Sequence, residues 1–282
     1  MKKVKLILGK AGHCFSKEHH AMKGGRRKEI PFNAVFGLIE HPEKGWILFD
    51  TGYTQRFHEG TAKFPGKIYA LATKVYIKPE EEVHAQLKAR GINATDIKHV
   101  FISHFHADHV GGMKDFPNAQ FYCSKPAFEQ AITLKGFKAV SKGILTNHLP
   151  EDLAERTTFI EEIGTKIESK YFIESYDLFG DQSLIAHSVP GHAAGQYGLE
   201  LTTAKEHYFL AADSAWLKPN YSEYRLPNAI VKLFFHSWAD YKDSLKRLQH
   251  FYNENPNVVI VPTHCNETCE PLIERSNTED GI

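Results

Sequence analysis

Long apolar runs are missing from this chain. No stretch of its 282 residues approaches the length needed to cross a bilayer, so no membrane span is expected. The opening Met1-Lys2-Lys3 is positively charged, as a secretory leader would be. Lys5 and Lys10 nevertheless interrupt the apolar segment, and no small-residue cleavage site follows. The segment reads instead as a first β-strand. Cysteine is scarce: Cys14, Cys123, Cys265 and Cys269 include no CxxC pair, which favours free thiols in a cytoplasmic protein over a disulfide framework. Net charge is absent as well, with 34 Lys and Arg against 34 Asp and Glu. That balance gives no electrostatic case for nucleic acid or an anionic membrane as partner and leaves a small molecule as the expected ligand. The one basic stretch, Lys23-Gly24-Gly25-Arg26-Arg27-Lys28, reads as a solvated loop. A homodimer bridged by that loop is compatible with the sequence. Linkers, low-complexity segments and internal repeats are also lacking, so residues 1–282 are expected to form a single domain.

Short apolar runs alternate with helical patterns, which predicts an α/β architecture. Ala34–Ile39 and Trp46–Phe49 read as two strands joined by a turn between Pro42 and Gly45. A helix is predicted over 79–90, with Pro79 in its first turn, Glu80, Glu81 and Glu82 on its N-terminal dipole, and Gly91 ending it. His99–Ser103 reads as a buried strand. Later strands are expected at 119–123, 183–189, 197–201, 207–211 and 258–261, and a helix over 240–253. Residues 135–180 carry little pattern and are expected to form an insertion or a lid.

The strand at 99–103 runs directly into His104-Phe105-His106-Ala107-Asp108-His109. An extended chain has period two, so His104, His106 and Asp108 point to one side. His109 has the opposite parity, and the chain must turn to bring it in. Gly111 and Gly112 allow that turn and a close backbone approach. Imidazoles with a carboxylate suit zinc, iron, manganese or cobalt.

His-x-His-x-Asp-His after a buried strand resembles the metallo-β-lactamase superfamily. Asp50-Thr51-Gly52, Pro190-Gly191-His192, Ala211-Ala212-Asp213-Ser214 and Pro262-Thr263-His264 resemble its other motifs, in the same order. The resemblance implies a four-layer αβ/βα sandwich and two divalent metal ions, with Zn2+ first in expectation. One ion would take His104, His106 and His192. The other would take Asp108, His109 and His264, with Asp213 shared between them. It also implies that a hydroxide between the ions attacks a carbonyl, that Asp108 carries a proton to the leaving oxygen, and that Asp50 orients a ligand histidine from behind.

Within the superfamily, Ala11-Gly12-His13-Cys14 and Ile30-Pro31-Phe32-Asn33 resemble the N-acyl-homoserine lactonase branch, which implies lactone opening and quorum quenching. That branch carries a tyrosine three residues after the shared aspartate, where this chain has Trp216. Phe105, Trp216, Tyr221 and Tyr224 are therefore the candidate substrate contacts, with either tyrosine standing in for the missing one. The alternatives are a thioesterase or a phosphodiesterase on the same metal site and, from another class, a metal- or ligand-binding module without turnover. Of the remaining histidines, His19 and His20 read as exposed loop, and His236 as hydrogen-bonded and half-buried.

Overall fold

A computed structural model of the protein describes residues 2–278 and 281. Its first sheet has six strands in sequence order: β1 (Lys5–Lys17), β2 (Glu29–His41), β3 (Gly45–Phe49), β4 (His99–Phe101), β5 (Gln120–Cys123) and β6 (Thr157–Phe159). β1, β2 and β3 pair antiparallel, and β3 to β6 pair parallel. The second sheet contains β7 (Thr165–Ile167), β8 (Ser175–Asp177), β9 (Leu184–Ser188), β10 (Tyr197–Thr202), β11 (His207–Ala212) and β12 (Val258–Pro262), also in order. Only β11 and β12 are parallel there.

Period-two alternation divides the apolar residues among layers. Leu6 and Leu8, Ile47 and Phe49, Phe101, Tyr208 and Leu210 belong to the core between the sheets. Their neighbours Ile7, Leu48, Val100 and Ile102 face the other way, onto Val83, Leu87, Met113 and Phe116. Phe209 and Ala211 likewise face Leu245, Leu248 and Phe251 of the helix Trp238–Glu254. Both faces of each sheet are thus covered, which explains the continuous apolar runs of the central strands. The result is the four-layer sandwich expected, two mixed sheets between helices.

Two expectations change. The helix over 79–90 is broken into a turn of 3₁₀ helix at Pro79–Glu81 and an α-helix at Val83–Ala89. Glu82 between them is extended, and its buried carboxylate accepts the Gln55 N–H at 2.9 Å. Residues 135–180 supply β6 and β7, one edge strand of each sheet, and β8 beside β7. Only their first part reaches the catalytic edge: a Cβ on Gly143 would lie 2.7 Å from the His106 ring.

Candidate metal centre

Every residue singled out for metal chemistry follows the C-terminal end of a strand, so all gather at one edge of the sandwich. Asp50 follows β3, His104–His109 follow β4, His192 follows β9, Asp213 follows β11 and His264 follows β12. The turn needed for His109 is the short helix Ala107–Val110, where the His109 N–H donates to the His106 carbonyl at 3.0 Å. Gly111 and Gly112 serve close approach. A Cβ there would lie 2.5 Å from the Gly52 carbonyl and 2.8 Å from that of Thr51. This lets the Thr51 N–H and hydroxyl both donate to the His109 carbonyl, at 2.7 and 2.9 Å. Gly191 has φ +124°, and a Cβ on it would lie 2.0 Å from the Tyr241 nitrogen, so glycine alone lets the His192 loop lie on that helix.

Among the described residues, three groups of donor atoms at this edge lie close enough to hold a cation: His104, His106 and His192; His104, His109 and Asp213; and Asp108, His109 and His264. The separations interlock. Asp213 Oδ1 is 3.4 Å from His109 Nε2, while Oδ2 is 3.2 Å from His192 Nε2 and 3.1 Å from His264 Nε2. Asp108 Oδ2 is 3.4 Å from His109 Nε2 and 3.5 Å from His264 Nε2. Asp213 therefore touches both histidine sets.

The opposite ring nitrogens are tied down. His109 Nδ1 lies 2.7 Å from Asp50 Oδ2, His264 Nδ1 lies 2.9 Å from the Asn33 carbonyl, and His104 Nδ1 lies 3.0 Å from the Ser103 hydroxyl. Asp50 also accepts the Ser103 N–H and hydroxyl, at 2.8 and 2.7 Å. Meanwhile His104 Nε2, His109 Nε2, His192 Nδ1 and Asp213 Oδ1 are buried without a hydrogen-bond partner. Orphaned buried donors and acceptors are costly, and His104, His109 and Asp213, which offer ligand atoms close enough together to hold a cation, each carry one.

Charge at the site follows from burial and proximity. Burial pushes His104 well below the usual imidazole range, His106 down to about 4 and His192 down to about 3, so these rings are neutral and free to ligate. Burial acts in the opposite sense on Asp108, but His109 and His264 outweigh it and hold the carboxyl down to about 2. Asp213 is held well below the carboxylate range: burial opposes this, and His264 and His192 prevail. His109 is raised because Asp108 and Asp50 overcome its burial.

A model of the metallo-beta-lactamase superfamily matches residues 30–264. The chain belongs to that superfamily. Among proteins of this superfamily that it resembles, an N-acyl homoserine lactonase AttM from Azorhizobium caulinodans is 26% identical over 254 residues, 88% of this chain and 89% of the relative. The enzyme of the same name from Rhizobium radiobacter is 27% identical, across 94% of both chains. In fold, the chain matches a solved N-acyl homoserine lactone hydrolase with N-hexanoyl-L-homoserine at its catalytic metal centre, with TM-score 0.73 and 20% identity, covering 96% of this chain and 97% of that one.

The substrate candidates fare differently from the metal candidates. Phe105 is 3% exposed and belongs to the apolar core with Ile102, Val110 and Phe116. Its parity is opposite to that of His104 and His106, which turns it from the site into the protein. Tyr221 is buried against Tyr252, with ring centroids 5.2 Å apart, and the Tyr224 hydroxyl donates to the Lys242 carbonyl at 3.1 Å. Packing against the helix Trp238–Glu254 holds both tyrosines in place. Trp216 does reach the centre, where its indole N–H donates to Asp213 Oδ2 at 2.9 Å.

Ser103 and Gly143 escaped the sequence reading. Ser103 was detectable as the one polar side chain between the buried strand and His104; Gly143 gave no signal. All four cysteines are unpaired. His19 and His20 are partly buried in a short helical turn, and His236 is exposed, 3.3 Å from Gln130 Nε2. A further donor group, Glu82, His84 and Asp115, lies apart from the centre. There Arg56 already binds both oxygens of Asp115, so a cationic partner is in place.

Proposed function

We propose that this chain is a single-domain, two-metal hydrolase that opens lactone rings, with N-acyl homoserine lactones as its substrates and quorum quenching as the consequence. The observation that carries the reading is Asp213, whose carboxylate lies within 3.4 Å of His192 from one histidine set and of His109 and His264 from the other, beside buried nitrogens that have no partner. The near full-length likeness to two N-acyl homoserine lactonases supports the substrate. His104, His106 and His192 would hold one ion, Asp108, His109 and His264 the other, and Asp213 both. Five imidazoles and two carboxylates suit Zn2+ first, with iron, manganese and cobalt as substitutes. Four unpaired thiols fit a cytoplasmic setting.

When bound, the ions would supply a Lewis acid for the carbonyl and a water acidified to about neutral pKa. The protein's own groups supply the rest. Ring opening adds one water across the acyl C–O bond and yields a hydroxy acid, so the departing ring oxygen needs a proton. Asp108 is the carboxylate placed to deliver it, being a little more open to solvent than Asp213. Asp50, through His109 Nδ1, keeps the His109 Nε2 lone pair turned to the centre.

The test is hydrolysis of acyl-homoserine lactones, simple lactones, a thioester and a phosphodiester by metal-loaded protein, beside a chelated control. Chelator-sensitive opening of the lactones with little action on the others is expected. Metal-loaded protein that leaves lactones intact would overturn the substrate, and turnover of the thioester or phosphodiester alone would name its replacement.

A further inference from the structure

The two oxygens of Asp213 have unequal surroundings. Oδ1 is buried with no hydrogen-bond partner. Oδ2 lies near His192 and His264 and also accepts the Trp216 indole N–H at 2.9 Å. We infer that Trp216 is a positioning residue, whose N–H fixes the plane of the Asp213 carboxylate so that each oxygen serves one ion. The inference rests on the reading of Asp213 as the shared ligand.

Donor chemistry gives the reason. A carboxylate oxygen has two lone pairs, and the indole takes one of those on Oδ2. One remains for a cation, so Oδ2 has no second site for the other ion, and the free Oδ1 must supply it. Without that donor the carboxylate can rotate and chelate one ion with both oxygens, leaving its neighbour short of a ligand. An indole is suited to the task because it donates only: it neither ligates a metal nor changes protonation at any ordinary pH.

The surroundings keep the donor still. Trp216 is 9% exposed, with its ring 5.8 Å from Phe32, 5.3 Å from Phe235 and 5.6 Å from His192. Phe32 in turn stacks on His264 at 4.6 Å. The Trp216 and Leu217 N–H groups both donate to Asn220 Oδ1, at 3.0 and 2.7 Å. Asn220 is itself anchored through its amide to the Ala21 and Arg225 carbonyls, at 3.1 and 2.6 Å. The indole therefore touches Asp213 and His192 directly, and His264 through Phe32.

The test is Trp216→Phe, which keeps an aromatic ring and removes the N–H. Metal content after challenge with a graded chelator is the first readout, and the visible spectrum of the cobalt-loaded protein the second. We expect the more weakly held ion to lose about tenfold or more in affinity, the scale typical of removing a hydrogen bond behind a ligand, and the cobalt spectrum to change. A merely structural role would lower the melting temperature and leave both readouts unmoved in the folded fraction; that result overturns the inference. Should the variant fail to fold, the wild-type protein still decides. With 15N-labelled indoles, assigned by Trp46→Phe and Trp238→Phe, the Trp216 N–H must be slow to exchange with solvent in the metal-loaded state. A rapidly exchanging Trp216 signal overturns the inference. An Asp213→Ala variant that binds two ions as tightly as the wild type would instead overturn the shared-ligand reading on which the inference rests.

Discussion

Asp50 Oδ2 and His109 Nδ1 are 2.7 Å apart, and neither side chain has any exposure to solvent. Asp50 holds a left-handed backbone conformation, φ +58°, which asparagine also tolerates. Asp50→Asn therefore isolates the loss of charge from any loss of backbone geometry. It should weaken metal binding by about 10- to 100-fold, the usual cost of losing a carboxylate behind a ligand histidine. Chelator competition measures this directly, and an unchanged affinity would remove Asp50 from the metal's supporting structure.

Gly143 belongs to the segment that gave no clear pattern, yet it adjoins a candidate ligand. It has φ +70°, and a Cβ would lie 2.7 Å from His106 Cδ2. Gly143→Ala should lose about 1–2 kcal/mol through left-handed strain and also displace the His106 ring, lowering metal content. Gly180→Ala is the matched control, because its φ is +74° and nothing lies within 4 Å of the added Cβ. Both variants should lower the midpoint of thermal unfolding. Only Gly143→Ala should lose metal; equal metal content in the two would show that His106 accommodates the methyl group.

What the sequence revealed depended on whether a role was local. The ligand histidines sit beside strand ends, and the parity of the β4 extension already separated His104 and His106 from Phe105. Following that parity through would have assigned Phe105 to the core from the start. The partners of Asp50 and Asn33 lie 59 and 231 residues away in sequence, so no spacing rule could pair them. Packing on the helix Trp238–Glu254 decides where the hydroxyls of Tyr221 and Tyr224 go, and their distance from Asp213 in sequence does not reveal it. The 79–90 helix failed at Glu82 for a similar reason: a buried contact with Gln55 outweighs local helix preference.

Phe105 offers a test of that correction. Removing its ring from the core should cost about 3–5 kcal/mol, as for other buried phenylalanines. Phe105→Leu keeps most of the apolar volume and should cost less. In the folded fraction of Phe105→Leu, the ranking of lactones by kcat/KM should match that of the wild type. A changed preference with unchanged stability would return Phe105 to the substrate pocket.

Glu200 lies on β10, away from the metal centre, and gives a pH dependence of its own. Its carboxylate sits 2.6 Å from His187 Nε2 and 2.7 Å from His207 Nε2. Burial tends to raise its pKa, but these two hydrogen bonds hold it down to about 2, against an ordinary 4.5. A carboxyl with a depressed folded-state pKa stabilises the fold above its unfolded value, and that contribution disappears as pH falls through the folded one. The window therefore runs from 4.5 down to about 2. At one pKa unit per roughly 1.4 kcal/mol, the contribution near neutral pH is on the order of 3 kcal/mol. Glu200→Gln keeps the side-chain shape and removes the titration. Urea unfolding of chelator-treated protein should show the wild type ahead of the variant at about pH 7, with the gap narrowing steadily below about pH 4.5. Chelation matters because metal release on acidification would otherwise add its own slope to both curves. A gap that stays constant from neutral pH down to about pH 3 would mean that the histidine pair stabilises β10 by packing and shape, with no contribution from the charge on Glu200.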